Sequence, residues 1–135
     1  MAIQITFIGL GQIGASMGLA LAPHKDKITR IGHDKDSNVE NNALKKGAVD
    51  KIEHNLPRAV RDARLVVLSL PISEIRETLE FIAPDLKEGT VVLDTAPVKS
   101  DVAKWAKEIL PEGCHYVGLV PAIGAEFLRD EKSGL

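Results

Sequence analysis

The run Gly9-Leu10-Gly11-Gln12-Ile13-Gly14 follows directly on the apolar stretch Ile3 to Ile8 and opens a small, apolar stretch, Gly14 to Ala22, that stops at Pro23. A glycine hexad between a strand pattern and a helix pattern admits few folds, because it marks a chain that turns tightly from strand into helix. Gly9 permits the turn. Gly11 carries no β-carbon to obstruct a pyrophosphate approaching the backbone, and Gly14 lets the helix lie close to the strand. The amides at about Gln12 and Ile13 have no carbonyl to bond within the helix, and the positive end of the helix dipole lies with them, so the turn suits a phosphate.

The remaining sequence repeats the alternation. Short apolar runs recur at Ile28 to Gly32, Leu65 to Leu70, Thr90 to Leu93 and His115 to Gly118, with a brief one at Val49 to Ile52, and helical stretches stand between them. This is the pattern of a parallel α/β sheet. Leu65-Val66-Val67-Leu68 is apolar at every position, as a central strand covered on both faces must be. Ser37 is expected to cap a helix ending near Lys46 with Gly47 beyond it, and Asn55 to open another before Leu56-Pro57. A helix from Ser73 holds Ile75, Leu79 and Ile82 on one face, and Ser100 is expected to cap one that buries Val102, Ala106, Ile109 and Leu110. The expected architecture is an α/β, Rossmann-type doubly wound parallel sheet of order 3-2-1-4-5-6, with helices on both faces.

Asp34 lies twenty residues past Gly14, at the expected end of the second strand. A carboxylate there can accept both ribose hydroxyls of an adenosine, and its charge repels a 2′-phosphate, so NAD is the expected cofactor. His33 and Lys35 beside it keep NADP open, since cations accommodate that phosphate. The competing reading is a glycine-rich turn with a solvated Asp34-Lys35-Asp36 cap on the next helix. In a doubly wound sheet the ligand crosses the carboxyl ends of the first and fourth strands, which nominates Ser69-Leu70-Pro71-Ile72. Leu70 and Pro71 are placed on the nicotinamide side, Pro71 either shaping the site or merely starting a helix, and Ile75 is placed over the adenosine. Residues 1–125 then form one NAD(P)-binding domain, with 126–135 a polar tail or the truncated start of a missing second domain.

Composition excludes several other functions. The 17 Lys and Arg against 19 Asp and Glu give a net charge of −2 without a basic cluster, which argues against nucleic acid or an anionic membrane surface as partner. No apolar segment approaches the ~20 residues of a membrane helix, and Met1-Ala2-Ile3-Gln4 lacks the basic start and longer apolar stretch of a signal peptide, so the expected location is the cytoplasm. A single Cys114 excludes a disulfide framework or a cysteine zinc cluster and is expected to be inert. The four histidines, His24, His33, His54 and His115, show no metal-ligand spacing, and no metal is expected. Lys99 is read either as steering an anionic substrate or as a solvated helix-start lysine, and Asp94 as the acceptor of a backbone amide in its turn.

Taken together, Ile5-Thr6-Phe7-Ile8-Gly9-Leu10-Gly11-Gln12-Ile13-Gly14-Ala15-Ser16, Gly32-His33-Asp34, Leu68-Ser69-Leu70-Pro71-Ile72 and Leu93-Asp94-Thr95-Ala96-Pro97-Val98-Lys99-Ser100 resemble the nucleotide-binding half of prephenate and arogenate dehydrogenases. The resemblance reaches to about Glu126. It implies an oxidoreductase that oxidises the ring hydroxyl of a small anionic cyclic carboxylate by hydride transfer to NAD or NADP, with loss of the ring carboxylate, on the route to tyrosine. It also implies a helical domain that forms a homodimer and closes over the substrate. Two positions depart from the family. Val120 stands where the family carries a histidine in His-Pro-x-x-Gly, and Pro97 where it carries the serine of Gly-Ser-Val-Lys. The catalytic residues are therefore not assigned. A second reading follows from these departures: a non-catalytic NAD(P)-binding or sensing module that docks on a separate catalytic domain.

Overall fold

β4, Leu65–Leu68, alternates its side chains between two cores, and the architecture follows from that strand. Val66 and Leu68 join a cluster with Ile8, Val60, Ile75, Leu79, Ile82 and Val102, whereas Val67 faces a second cluster with Ile5, Phe7, Ala15 and Ala43. A strand with both faces buried needs helices on both sides, and this is why its apolar run is unbroken. The computed structural model describes residues 2–97 and 99–119. Val98, Val120 and the segment 126–135 fall outside that range, so the reading of the last ten residues as a tail is not addressed by it.

The chain runs β1 (Ile3–Ile8), α1 (Gln12–Ala20), β2 (Ile28–His33), α2 (Ser37–Lys46), β3 (Lys51–Ile52), α3 (Leu56–Arg61), β4, α4 (Ile72–Ile82), β5 (Val91–Asp94), α5 (Lys99–Ile109) and β6 (His115–Gly118). The six strands pair in the order β3-β2-β1-β4-β5-β6, every pair parallel, as the sequence pattern predicts. Among the described residues, no helix is long and apolar enough to cross a membrane. Register does the positioning: Ile8 lies opposite both His33 and Leu68, and Leu68 lies opposite Asp94. The residues that follow, Gly9, Asp34, Ser69 and Thr95, therefore emerge along a single edge of the sheet.

Several boundaries differ from expectation. The cap of α2 is Asp36, whose carboxylate accepts the Asn38 amide, rather than Ser37. Asn55 caps α3 as expected, through the Arg58 amide. Ser100 is the second residue of α5, not its cap, and β4 ends two residues before Leu70. Arg30, in the middle of β2, is 3% exposed and holds the left side of the sheet together. Its guanidinium donates to Gly18 O and Gly47 O, each at 2.7 Å, to Ala48 O at 3.0 Å and to Asp50. Those bonds tie α1 and the end of α2 to β2, and the Arg30 guanidinium holds the Asp50 carboxyl below its ordinary range.

Candidate dinucleotide site

The turn between β1 and α1 is built by contacts that only glycine permits. Gly9 has φ +94°, and a β-carbon there would lie 2.1 Å from Ser69 O, so the turn packs directly against the chain leaving β4. A β-carbon on Gly14 would meet Gly9 O at 2.1 Å, which fixes how closely α1 lies on the strand. Gly11 is different. Its φ of −72° suits any residue, and a β-carbon there would meet nothing within 4 Å. Packing gives no reason for glycine at this N-cap position, and a ligand lying against the backbone does. The first helical amide bonded to a carbonyl is Ala15, to Gly11 O at 2.9 Å, so the amides of Gly11, Gln12 and Ile13 precede the first turn and have no acceptor within the helix. Leu10, at 4% exposure, anchors the turn in the core and contributes its backbone rather than its side chain.

Asp34 sits opposite this turn. One carboxylate oxygen accepts the Leu10 amide at 2.9 Å and the other accepts the Asp36 amide at 3.0 Å. The acid thus braces the glycine turn against the end of β2. Each oxygen keeps further acceptor capacity, because a carboxylate oxygen takes about two hydrogen bonds. Between the turn, the end of β2 and the start of α4 lies a cleft of about 420 Å³, lined by Gly9, Gly11, His33, Asp34, Lys35 and, across from them, Leu70 and Pro71. Lys35 spans the cleft to Glu74, Nζ to Oε1 at 3.1 Å, and is 79% exposed on its side chain. Such a surface pair contributes about 0–1 kcal/mol and opens readily.

Most nominated residues therefore meet at one place. Leu70 and Pro71 do so, on the wall of the cleft that faces Asp34. Pro71 is also the residue that caps α4, so its two readings are not exclusive. Ile75 does not reach the cleft. It is 0% exposed in the core, and Glu74 and Thr78 line the wall in its place. The reason is helical geometry: Ile75, Leu79 and Ile82 share one face, and that face is spent on the core. The sequence reading missed Glu74 and Thr78, although their offset from the apolar stripe of α4 could have found them.

At the other end of the same edge, Asp94 is fully buried. It accepts the Ala96 amide at 2.7 Å, as expected, and its second oxygen accepts Lys99 Nζ at 3.0 Å and Tyr116 Oη at 2.5 Å. Lys99 also donates to Asp94 O at 3.0 Å. It is thus not a free, solvated lysine but the counter-ion of a buried acid. Burial, then the hydrogen bond to Asp94, pushes the Tyr116 phenol well above its ordinary range. Burial likewise raises the Cys114 thiol, and its Sγ donates to Lys87 O at 3.3 Å, which agrees with an inert cysteine.

Known proteins resemble this chain in sequence and in fold. The family model described as prephenate dehydrogenase, nucleotide-binding domain, matches residues 17–133. A prephenate dehydrogenase from Lactococcus lactis is 35% identical over 108 residues, which is 78% of this chain and 30% of that protein. The chain therefore spans about a third of the length of that relative. Among solved structures, the Synechocystis arogenate dehydrogenase superposes with a TM-score of 0.78 at 28% identity, covering 91% of this chain and 42% of that one. The prephenate dehydrogenase from A. aeolicus, solved with hydroxyphenyl propionate and NAD+, shares the fold with a TM-score of 0.81 at 23% identity, covering 93% of this chain and 43% of that one. With its glycine turn, the acid that braces it and the strand order all in place, the chain belongs to the family of prephenate dehydrogenase nucleotide-binding domains.

Proposed function

We propose that this chain is the NAD-binding part of a cytoplasmic oxidoreductase that oxidises a small anionic cyclic carboxylate of the prephenate or arogenate type with loss of the ring carboxylate. The observation that carries the reading is the open space over Gly11, bordered by amides without helical acceptors on one side and by Asp34 on the other. Gly11, Gln12 and Ile13 would hold the pyrophosphate through their amides and the helix dipole. Asp34 would accept the ribose hydroxyls while keeping its two amide bonds, and Leu70 and Pro71 would pack against the bound dinucleotide. The bound dinucleotide supplies the hydride acceptor; the chain's own residues bind and orient it. Closure over the substrate and dimerisation, which the resemblance implies, would fall outside the residues assigned to the dinucleotide.

Calorimetric titration of the chain with NAD and with NADP tests this. NAD is expected to bind at least tenfold more tightly, because a 2′-phosphate would face the Asp34 carboxylate. Asp34→Asn should weaken NAD about tenfold, roughly 1.4 kcal/mol, and narrow the gap to NADP. A wild-type preference for NADP would overturn the role given to Asp34, and binding of neither dinucleotide would overturn the proposal. The second reading, a non-catalytic sensor, rests on Val120 and Pro97, which stand where the resemblance implies a histidine and a serine. Hydride transfer with prephenate or arogenate by the chain together with NAD would eliminate it.

A further inference from the structure

His33, Glu40 and His54 lie far apart in sequence and carry no metal-ligand spacing, yet the fold brings one ligand atom of each within 4.8 Å of the others. They come from three elements: the end of β2, the first turn of α2 and the segment leading into α3. Glu40 is the centre of the group. Its side chain is 4% exposed, and among the described residues the basic side chains within 4.0 Å of it are the two imidazoles alone. Its Oε1 lies 2.8 Å from His54 Nδ1, and its Oε2 accepts the Asp34 amide at 3.1 Å and lies 3.9 Å from His33 Nδ1.

A hydrogen-bonded histidine-carboxylate pair accounts for only part of this arrangement. It satisfies Glu40 Oε1 and His54, but it leaves His33 Nδ1 buried with no hydrogen-bond partner. At 3.9 Å the Glu40 oxygen is beyond hydrogen-bonding reach of that nitrogen. A cation bound by all three residues gives that nitrogen the partner it lacks. Ligand atoms about 2.0–2.1 Å from a tetrahedral zinc ion stand about 3.4 Å apart. The three ligand atoms lie within 4.8 Å of one another, so side-chain adjustments of up to about 1.4 Å would bring them to that spacing. Two imidazoles and one carboxylate form a borderline donor set that suits zinc over magnesium or calcium. His54, 58% exposed, gives the ion its way in and leaves room for water as a fourth ligand.

We propose that His33, Glu40 and His54 bind one divalent transition-metal ion of the zinc class, beneath the Asp34 end of the dinucleotide cleft. The ion would staple the end of β2, α2 and the start of α3, and it would fix the Glu40 carboxylate that holds the Asp34 backbone.

The test titrates the intact chain with cobalt(II) and measures zinc uptake by equilibrium dialysis. One equivalent of zinc and the intense visible absorption of four-coordinate cobalt are expected. Glu40→Gln removes the anionic ligand while keeping an acceptor for the Asp34 amide, and His54→Ala changes an exposed side chain; each should weaken zinc binding at least tenfold. His24→Ala and His115→Ala should not change it. Circular dichroism establishes that the variants are folded, and His54→Ala alone decides the matter if Glu40→Gln is not. Failure to take up zinc, uptake unchanged by the ligand substitutions, or the pale spectrum of six-coordinate cobalt would each overturn the proposal.

Discussion

The two ends of the sheet's carboxyl edge treat their polar groups in opposite ways. Around the glycine turn, hydrogen-bonding capacity is left over after folding: helix-start amides without an acceptor in α1, and an Asp34 carboxylate with lone pairs beyond its two amide bonds. Around β5 and β6 the described polar groups bond chiefly to one another. Asp94, Lys99, Tyr116 and the Ala96 amide close on one another, and the acid at their centre has no exposure at all. Both ends carry the residue types that sequence reasoning associates with chemistry. What separates a site from a brace is whether the protein has already satisfied those residues itself.

The largest expected effect comes from breaking the closed end. Asp94→Ala removes the partner of a half-buried lysine and of a phenol, and should cost about 3–5 kcal/mol of stability by urea unfolding. Dinucleotide affinity, measured on folded protein at low temperature, should stay within about twofold. The opposite pattern, affinity lost with stability intact, would place Lys99 in the binding machinery and erase the contrast.

At the open end the effects should reverse. Gly11→Val introduces a side chain that meets no protein atom within 4 Å at its β-carbon and has an allowed backbone, so stability should change by no more than about 1 kcal/mol. The same side chain fills the space assigned to the pyrophosphate, and NAD affinity should fall at least 100-fold, about 2.7 kcal/mol or more. Gly9→Val, by contrast, would force a β-carbon to 2.1 Å from Ser69 O at φ +94° and should prevent proper folding. Equal behaviour of the two variants would show that the hexad serves packing alone.

This contrast also explains what was legible in the sequence. Strand order, the covered β4 and the need for glycine at positions 9 and 14 are written in local patterns of apolar runs and turn residues, so they could be read directly, although the backbone that Gly9 packs against, at Ser69, is distant in sequence. The Asn55 cap was legible for the same reason, while at α2 the adjacent Asp36 and Ser37 both have capping chemistry and only the backbone of the turn chooses between them. Ile75 was misplaced because one residue was given two incompatible faces of α4. Arg30 and Asp94 were illegible in a stronger sense. Arg30 finds its acceptors on Gly18, Gly47, Ala48 and Asp50, and Asp94 finds Tyr116 across a strand pair; no periodicity encodes such distant partners. The His33, Glu40 and His54 cluster belongs to the same class.

The smallest expected effects are those of pH, and they set the two halves of the sheet against each other. On the β2 side, hydrogen bonds from Arg30 lower the Asp50 carboxyl below the ordinary value of 3.8. The folded state then binds its proton less readily than the unfolded chain does, so this contribution is present above about pH 4 and is lost as pH falls through the lowered folded value. On the β6 side, burial and Asp94 raise the Tyr116 phenol. The folded state holds that proton more tightly, so the contribution is present below about pH 10 and is lost as pH rises beyond it. Urea unfolding as a function of pH should therefore show an acid slope that Asp50→Asn flattens and an alkaline slope that Tyr116→Phe flattens. Each slope should stay below about 1.4 kcal/mol per pH unit, the limit for one proton. If either substitution flattened the slope at the opposite extreme, the two halves would be electrostatically coupled rather than independent.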